Sequence, residues 1–313
     1  MKPLRIGSRA SALARWQAES VRAQLAALGC AAELVLIRTS GDRDLDTPLR
    51  LLGGKGVFTK EIENALLENR VDLAVHSMKD LPTALPEGTA IAAICRREDV
   101  RDALVSRQGL ALDDLPKGAR LGTSSLRRQA QLRHRRPDLE MVDVRGNVDT
   151  RLAKLGRGEY DAVVLAKAGL ERLGMSDRIT EVLATEVCLP AAGQGAIGIE
   201  ARAPVSDADR EIFMAAALLN HAPTRLSVGS ERAVLAGLSG GCDLPLGVWA
   251  REAAGELVID ACVLSLDGTE AVRVRRAGAL RDAEIIARDV TAALLSGGAD
   301  RLLALGGPSR GRS

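Results

Sequence analysis

A chain of 313 residues with 43 Lys and Arg against 41 Asp and Glu has a formal charge of only +2, so no global field draws it to a polyanion or a membrane surface. The aromatics are Trp16, Trp249, Tyr160, Phe58 and Phe213, too few for the base-stacking platforms of single-strand nucleic-acid binders, and no apolar run approaches the about eighteen residues of a membrane span. Cys30, Cys95, Cys188, Cys242 and Cys262 are odd in number and lack C-x-x-C spacing, and with three histidines they argue against a disulfide scaffold and a zinc centre.

The length fits two or three domains of roughly 100–200 residues each. No apolar h-region follows the basic N-terminus, so the expected location is the cytoplasm. Short apolar runs at 4–6, 33–37, 72–76, 91–94, 120–122, 141–144, 161–166 and 196–200 alternate with helical patterns. Between the first two, Ala14, Ala18, Val21, Leu25 and Leu28 fall on one helical face that ends at Gly29. Another helix begins near Thr59 and carries Ile62, Leu66 and Leu67. Such alternation predicts βαβ units and mainly parallel sheets. The last third differs: a helical stretch around 209–220 precedes alternating runs at 257–266 and 271–276, joined by the hairpin signal Asp267-Gly268. A small α+β domain with an antiparallel sheet and a final helix near 282–296 is expected, with a disordered tail over 306–313.

Val71-Asp72-Leu73-Ala74-Val75-His76-Ser77-Met78-Lys79-Asp80 runs from a buried-strand pattern into polar residues. Ligands of open α/β sheets bind outside the carboxyl ends of the strands, making Asp80 a candidate site carboxylate; a solvated turn closed by Leu81-Pro82 is the plainer reading. Gly122-Thr123-Ser124-Ser125-Leu126-Arg127-Arg128 follows a strand and opens a helix, where hydroxyls, free backbone N–H groups and two arginines can hold an anion. A capped helix with solvated arginines fits the same letters, and Arg133, Arg135 and Arg136 downstream read as exposed charges. Arg145-Gly146-Asn147-Val148-Asp149-Thr150-Arg151 follows a further strand, and Ile6-Gly7-Ser8-Arg9-Ala10-Ser11 repeats the pattern at the first. Three strand ends thus present Arg with Ser or Thr, pointing to a polyanionic small molecule bound between lobes.

Gly53-Gly54-Lys55-Gly56 lacks the Walker spacing and reads as a mobile lid, and Gly193-Gln194-Gly195-Ala196-Ile197-Gly198 precedes its strand, unlike a dinucleotide fingerprint. Cys242 lies in the glycine-led turn Leu238-Ser239-Gly240-Gly241-Cys242-Asp243-Leu244-Pro245, ahead of an apolar strand. No histidine is near it in sequence and Asp243 disfavours a thiolate, so the residues alone give a hydrolytic nucleophile no support. Inert buried thiols fit Cys95, Cys188 and Cys262 better.

Seven blocks, taken in order, resemble the porphobilinogen deaminase (hydroxymethylbilane synthase) family along nearly the whole chain. They are Ser8-Arg9-Ala10-Ser11 with Trp16-Gln17-Ala18, Gly53-Gly54-Lys55-Gly56-Val57-Phe58, Ala74-Val75-His76-Ser77-Met78-Lys79-Asp80, Gly122-Thr123-Ser124-Ser125-Leu126-Arg127-Arg128-Gln129, Arg145-Gly146-Asn147, Leu189-Pro190-Ala191-Ala192-Gly193-Gln194-Gly195 and Gly240-Gly241-Cys242. The resemblance implies an α/β fold with two periplasmic-binding-protein-like lobes around a cleft and a small α+β C-terminal domain. The expected boundaries are 1–95 with 196–215 for the first lobe, 96–195 for the second and 216–305 for the third domain. It also implies a transferase that condenses four porphobilinogens head to tail with loss of ammonia, giving hydroxymethylbilane for the next enzyme of tetrapyrrole biosynthesis.

The family's dipyrromethane cofactor, made from substrate, would be bound by a thioether to Cys242, and the catalytic aspartate would be Asp80. Arg9, Arg127, Arg128, Arg145, Arg151 and Arg172 match positions that bind the acid side chains, with Ser11, Lys79, Thr123 and Ser125 as helpers. Lys55 and Phe58 match the lid, and Gln17 and Gln194 the cleft. Asp243 and Lys167 depart from the family's common residues without removing a catalytic group. The expectation is a monomer with no metal, nucleic-acid or membrane partner. A two-lobed anion-binding protein without turnover is the alternative, and it would need neither Cys242 nor Asp80; a nucleic-acid binder would use 127–136 as a basic helix with steep salt dependence.

Overall fold

Leu4, Ile6 and Ser8 alternate with Arg5, Gly7 and Arg9, the period-two pattern of a strand, and they form β1 (Leu4–Arg9). A computed structural model describes residues 2–39, 41, 59–238 and 244–306. After β1 come α1 (Ala12–Ala27), β2 (Ala32–Ile37), α2 (Lys60–Leu67), β3 (Leu73–Ser77) and β4 (Thr89–Ile94). They are followed by β5 (Asp102–Ser106), β6 (Arg120–Gly122), α3 (Leu126–Arg135), β7 (Glu140–Val142), α4 (Val148–Gly156), β8 (Ala162–Ala166), α5 (Lys167–Arg172) and β9 (Glu181–Val182). The chain ends with β10 (Ile197–Arg202), α6 (Asp207–Ala217), α7 (Ala222–Gly237), β11 (Leu246–Ala253), β12 (Glu256–Leu264), β13 (Ala271–Ala279), α8 (Ala283–Ser296) and α9 (Ala299–Gly306). Lys55 and Phe58 of the expected lid, Cys242 with Asp243, and residues 307–313 of the expected tail lie outside the described residues.

The chain divides into two units. The first, Met1–Asp99 with Glu171–Gly174 and Gly193–Leu226, holds a sheet of order β2-β1-β3-β10-β4. β1 runs parallel to β2 and β3, and β10 runs antiparallel to both β3 and β4. One face packs Ile6, Leu73, Val75 and Ile199 on Ala18, Val21 and Leu25 of α1 and Ala215 and Ala216 of α6. The other sets Ala74 against Ile62, Ala65 and Leu66 of α2.

The second unit, Val100–Leu170 with Met175–Ala192 and Ser227–Ser313, holds two sheets. The order β7-β6-β8-β5-β9 repeats the first unit's arrangement: β6 is parallel to β7 and β8, while β5 runs antiparallel to β8 and β9. Four strands of each five-stranded sheet run in one direction, but β10 and β5 run against their neighbours, so two of the four pairings in each sheet are parallel and two antiparallel, short of the mainly parallel sheets expected. Leu104, Leu121, Ala162 and Val164 face Leu132 of α3, whereas Ala103, Val105, Val163 and Leu165 face Leu152 and Leu155 of α4.

The small sheet β11-β12-β13 is antiparallel throughout, with the hairpin at Asp267-Gly268. Asp267 Oδ1 accepts from Ser265 Oγ at 2.5 Å and from Thr269 N–H at 3.0 Å, fixing the turn. That turn docks on the end of α3, where Arg133 Nη1 donates to Leu266 O at 2.7 Å and the His134 ring meets Gly268 O at 2.7 Å. β11 is held alongside: Val248 N–H donates to Pro190 O at 2.9 Å. Gln131 Oε1 accepts from Leu189 N–H at 2.8 Å. Gly247 lets these backbones approach, because a Cβ there would lie 2.6 Å from Leu189 Cβ and 3.0 Å from Leu189 O. Gly247→Ala is expected to lower stability by about 1–3 kcal/mol through overpacking, measured as a shift in the urea midpoint; an unchanged midpoint would mean this seam is loosely packed.

Candidate active site

β3 ends in a single 3₁₀ turn, Met78–Asp80, which carries Lys79 and Asp80 past the carboxyl end of the sheet. The turn is hung on the neighbouring strand segment by Met78 N–H donating to Ala196 O at 3.0 Å. Gly193 (φ +73°) runs beneath it, where a Cβ would lie 2.8 Å from Met78 Cβ and 3.1 Å from the Met78 carbonyl carbon. Beside the turn is a concavity with about 400 Å³ of empty space, lined by Arg9, Ser11, Gln17, Thr59, His76 and Asp80 among others.

Four of the expected residues, Arg9, Ser11, Gln17 and Asp80, thus meet in one place. Ser11 Oγ accepts from Ala14 N–H at 3.4 Å and caps α1, and Gln17 Nε2 donates to Ser77 Oγ at 2.8 Å. Lys79, Arg172 and Gln194 belong to the same unit but are not among the lining residues. Arg172 is buried, donates Nη2 to Gly195 O at 2.7 Å and places its guanidinium carbon 5.7 Å from the Trp16 ring centroid. Burial pushes its pKa down, against the opposing pull of Glu98, and its Nε has no hydrogen-bond partner among the described residues. Gln194 is fully buried, with its carbonyl accepting from Arg97 Nε at 2.7 Å.

The second unit holds Thr123, Ser125, Arg127, Arg128, Arg145 and Arg151. Thr123 is buried; its Oγ1 accepts from Ser125 N–H at 3.3 Å and its carbonyl from Gln129 Nε2 at 2.7 Å. Ser125 stands at the N-cap of α3 without a side-chain cap bond, so the helix does not consume its hydroxyl. Arg151 Nε donates to Gly146 O at 2.8 Å, and its own carbonyl receives the Tyr160 hydroxyl.

Arg127 and Arg128 are not solvated. Arg127 Nη1 donates to Asp102 Oδ2 at 2.8 Å and to Leu189 O at 2.6 Å, while Arg128 donates Nη2 to Asp102 Oδ1 at 2.7 Å and Nη1 to Val164 O at 2.9 Å. Asp102, fully buried at the head of β5, is the residue that the motif reading missed. Burial alone would raise its carboxyl; the charges of Arg127 and Arg128 and the hydrogen bonds from both outweigh that and hold it well below the carboxylate range. One carboxylate thus faces two guanidinium groups, and Arg128 Nε has no hydrogen-bond partner among the described residues.

The thiols of Cys95, Cys188 and Cys262 are pushed up to about 11, 12 and 11, chiefly by burial. Cys188 is buried as expected, but its Sγ lies 3.3 Å from Asp102 Oδ2 and 3.4 Å from Arg127 Nη1.

Asp102→Asn is expected to cost about 3–5 kcal/mol in urea unfolding at neutral pH, because it strands two buried cations. Since the folded-state value is lowered, the carboxylate's contribution is complete above the unfolded-chain value near ~4 and is lost progressively as pH falls toward the folded value. The variant should therefore flatten the acid limb of the stability profile; an unaltered acid limb would contradict this assignment.

Two family models match the chain: "Porphobilinogen deaminase, dipyromethane cofactor binding domain" over residues 4–210 and "Porphobilinogen deaminase, C-terminal domain" over residues 225–296. A porphobilinogen deaminase of Syntrophobacter fumaroxidans (strain DSM 10017 / MPOB) is 50% identical over 302 residues, covering 96% of each chain. Among solved structures, a double mutant of the Bordetella pertussis BvgS VFT2 domain aligns with a TM-score of 0.41 at 15% identity, covering 73% of this chain and 92% of that one. A periplasmic substrate-binding protein of an ABC transporter from Coxiella burnetii aligns with a TM-score of 0.42 at 16% identity, covering 73% and 96%. On its match to both family models and to a relative that is 50% identical over 96% of its length, this chain belongs to the porphobilinogen deaminase family.

Proposed function

We propose that the chain joins four porphobilinogens head to tail with release of ammonia, giving hydroxymethylbilane for tetrapyrrole biosynthesis. The reading rests on family membership, and the observation that carries it into chemistry is the lining of the concavity: a carboxylate, Asp80, beside a guanidinium, Arg9. In each addition the aminomethyl C–N bond breaks and its electron pair leaves with nitrogen as ammonia. The resulting azafulvene cation is attacked by the α-carbon of the next pyrrole, a C–C bond forms, and that carbon then loses its proton. Asp80 opposes the developing positive charge and accepts from pyrrole N–H groups, an effect strengthened where water is excluded.

Four pyrroles bring eight acid side chains, which call for fixed cations. The second unit offers them, since Arg127 and Arg128 share one carboxylate and Arg128 Nε, buried and without a hydrogen-bond partner among the described residues, is a donor suited to an anion. Those residues fit a dipyrromethane with its own acid groups, and we assign its retention to Arg127, Arg128, Arg145 and Arg151, with Thr123 and Ser125 as helpers. When bound, the dipyrromethane supplies the pyrrole carbon on which the first substrate ring is placed. Its attachment is assigned to Cys242 through a thioether because Gly240-Gly241-Cys242 matches the family's cofactor-bearing turn; Cys95, Cys188 and Cys262 are buried, and burial raises their thiols.

Arg9, Arg172, Ser11, Lys79, Gln17 and Gln194 are assigned to the incoming and growing chain, and Lys55 and Phe58 to a lid. The proposal includes the three-domain division at 1–95 with 196–215, 96–195 and 216–305, and a monomer in the cytoplasm that hands its product to the next enzyme.

Asp80→Ala is expected to slow ammonia release from porphobilinogen by about a hundred- to a thousand-fold. Its thermal midpoint should change little, because Asp80 is only half-buried at the end of its turn. A near-normal rate in the variant would remove Asp80 from the mechanism, and no ammonia release by the unaltered protein would leave the anion-binding protein without turnover as the better reading.

A further inference from the structure

Between Thr123 and Ser125, both assigned above as helpers, stands a hydroxyl that the scheme does not use. Ser124 Oγ donates to Val144 O at 2.9 Å and accepts from Val144 N–H at 2.8 Å, so one side chain answers both backbone groups of one residue. A serine hydroxyl can do this because it is donor and acceptor at once. Val144 is 1% exposed and belongs to the core that packs on α4, so bulk water cannot take the hydroxyl's place.

Strand order gives the contact its weight. β7 is an edge strand whose one neighbour is β6, and the two pair over three residues only, from Arg120 opposite Glu140 to Gly122 opposite Val142. Thr123 N–H adds a bond to Val142 O at 2.8 Å. There the ladder stops, and the Ser124 side chain supplies the next two bonds. Gly122 makes room for this approach, since a Cβ on it would lie 2.7 Å from Val144 Cγ2.

The hydroxyl thus ties together the ends of two strands that each lead into arginines. On one side, three residues on from Ser124, come Arg127 and then Arg128, whose guanidinium groups are fixed on Asp102. On the other, Val144 is followed directly by Arg145, and Arg151 Nε grips Gly146 O at 2.8 Å.

We propose that Ser124 is a positioning residue that holds Arg145 and Arg151 at a set distance from Arg127 and Arg128, so that the four guanidinium groups meet the acid side chains of one dipyrromethane together. This deepens the reading given above for the second unit and rests on it. Ser124 acts through Val144 and needs no contact with the ligand. With alanine in its place, two buried backbone groups lose their partner, and the loop that carries Arg145 hangs on a three-residue edge ladder.

Intact-mass spectrometry of the purified full chain measures the fraction that carries a dipyrrole. Ser124→Ala is expected to lower that fraction about five-fold or more, and Ser124→Thr, which keeps the hydroxyl, to recover part of it. Ser206→Ala removes a hydroxyl cap from α6 in the first unit and should carry the dipyrrole as the unaltered protein does. A second readout is independent of loading: hydrogen exchange at the Val144 amide, compared between Cys242→Ser and the same chain with Ser124→Ala added. Without the hydroxyl, exchange at Val144 should be about ten-fold faster or more, while the amides of the central strand β8 are unchanged.

An equal dipyrrole fraction in Ser124→Ala and the unaltered protein overturns the proposal. So does an equal loss in Ser206→Ala, which would trace the effect to stability in general. If Ser124→Ala does not fold, the Cys242→Ser chain decides alone: fast, unprotected exchange of its Val144 amide overturns the proposal. Absence of any dipyrrole from the unaltered protein would instead overturn the functional reading, with the exchange at Val144 still deciding whether the hydroxyl ties the two loops.

Discussion

The second unit is organised around one carboxylate. Asp102 has no exposure to solvent, and it receives a guanidinium from each of two successive residues, Arg127 and Arg128. Because these residues open α3, the ion pairs fix the helix to the head of β5, and the remaining donors extend the hold to the carbonyls of Leu189 and Val164. Burying so much charge is tolerable only when every partner is in place. The arrangement therefore demands β5 antiparallel between β8 and β9, with Asp102 at its head. The same helix carries Gln131, Arg133 and His134, which grip the Leu189 segment and the hairpin of the small sheet. A short helix thus relates the basic strand-end cluster to the sheet whose first strand begins at Leu246, four residues after Cys242 in sequence.

In the first unit the governing constraint is backbone clearance. The turn that carries Asp80 sits over Gly193 and beside Gly198, where any side chain would collide with Met78. The letters Gly193-Gln194-Gly195, so like part of a dinucleotide fingerprint, have this mechanical reason: Gly193 and Gly195 adopt positive φ, and Gly195 packs within 2.8 Å, counted from its absent Cβ, of the Glu98 carbonyl. Loop position and strand order together place Asp80, Arg9, Ser11 and Gln17 around one concavity.

Much of this was legible beforehand. The apolar runs predicted β1, β2, β3, β4, β6, β7, β8 and β10 to within a few residues, the Asp267-Gly268 signal predicted the hairpin, and the helix near 282–296 was found as α8. What escaped has physical causes. β5 opens with an acid, and its pattern makes sense only once two arginines distant in sequence neutralise it. β9 has two residues, too few for any periodicity. α7 contains Pro223, Gly229 and three hydroxyl residues, which dilute a helical pattern that tertiary packing sustains. The site residues were found by resemblance, but their surroundings were not: the readings of Arg127 and Arg128 as solvated charges or open anion ligands both lacked Asp102, and the tie from Ser124 to Val144 depends on strand register that no local pattern records.

The central chemical proposal is that this chain builds its product on a dipyrrole held covalently by Cys242. Intact-mass spectrometry of the purified full-length chain tests that claim most directly. The account predicts a mass above that of the sequence by one dipyrrole unit, and the bare sequence mass for Cys242→Ser. An unmodified mass for the natural chain, or an adduct that survives in Cys242→Ser, would contradict it.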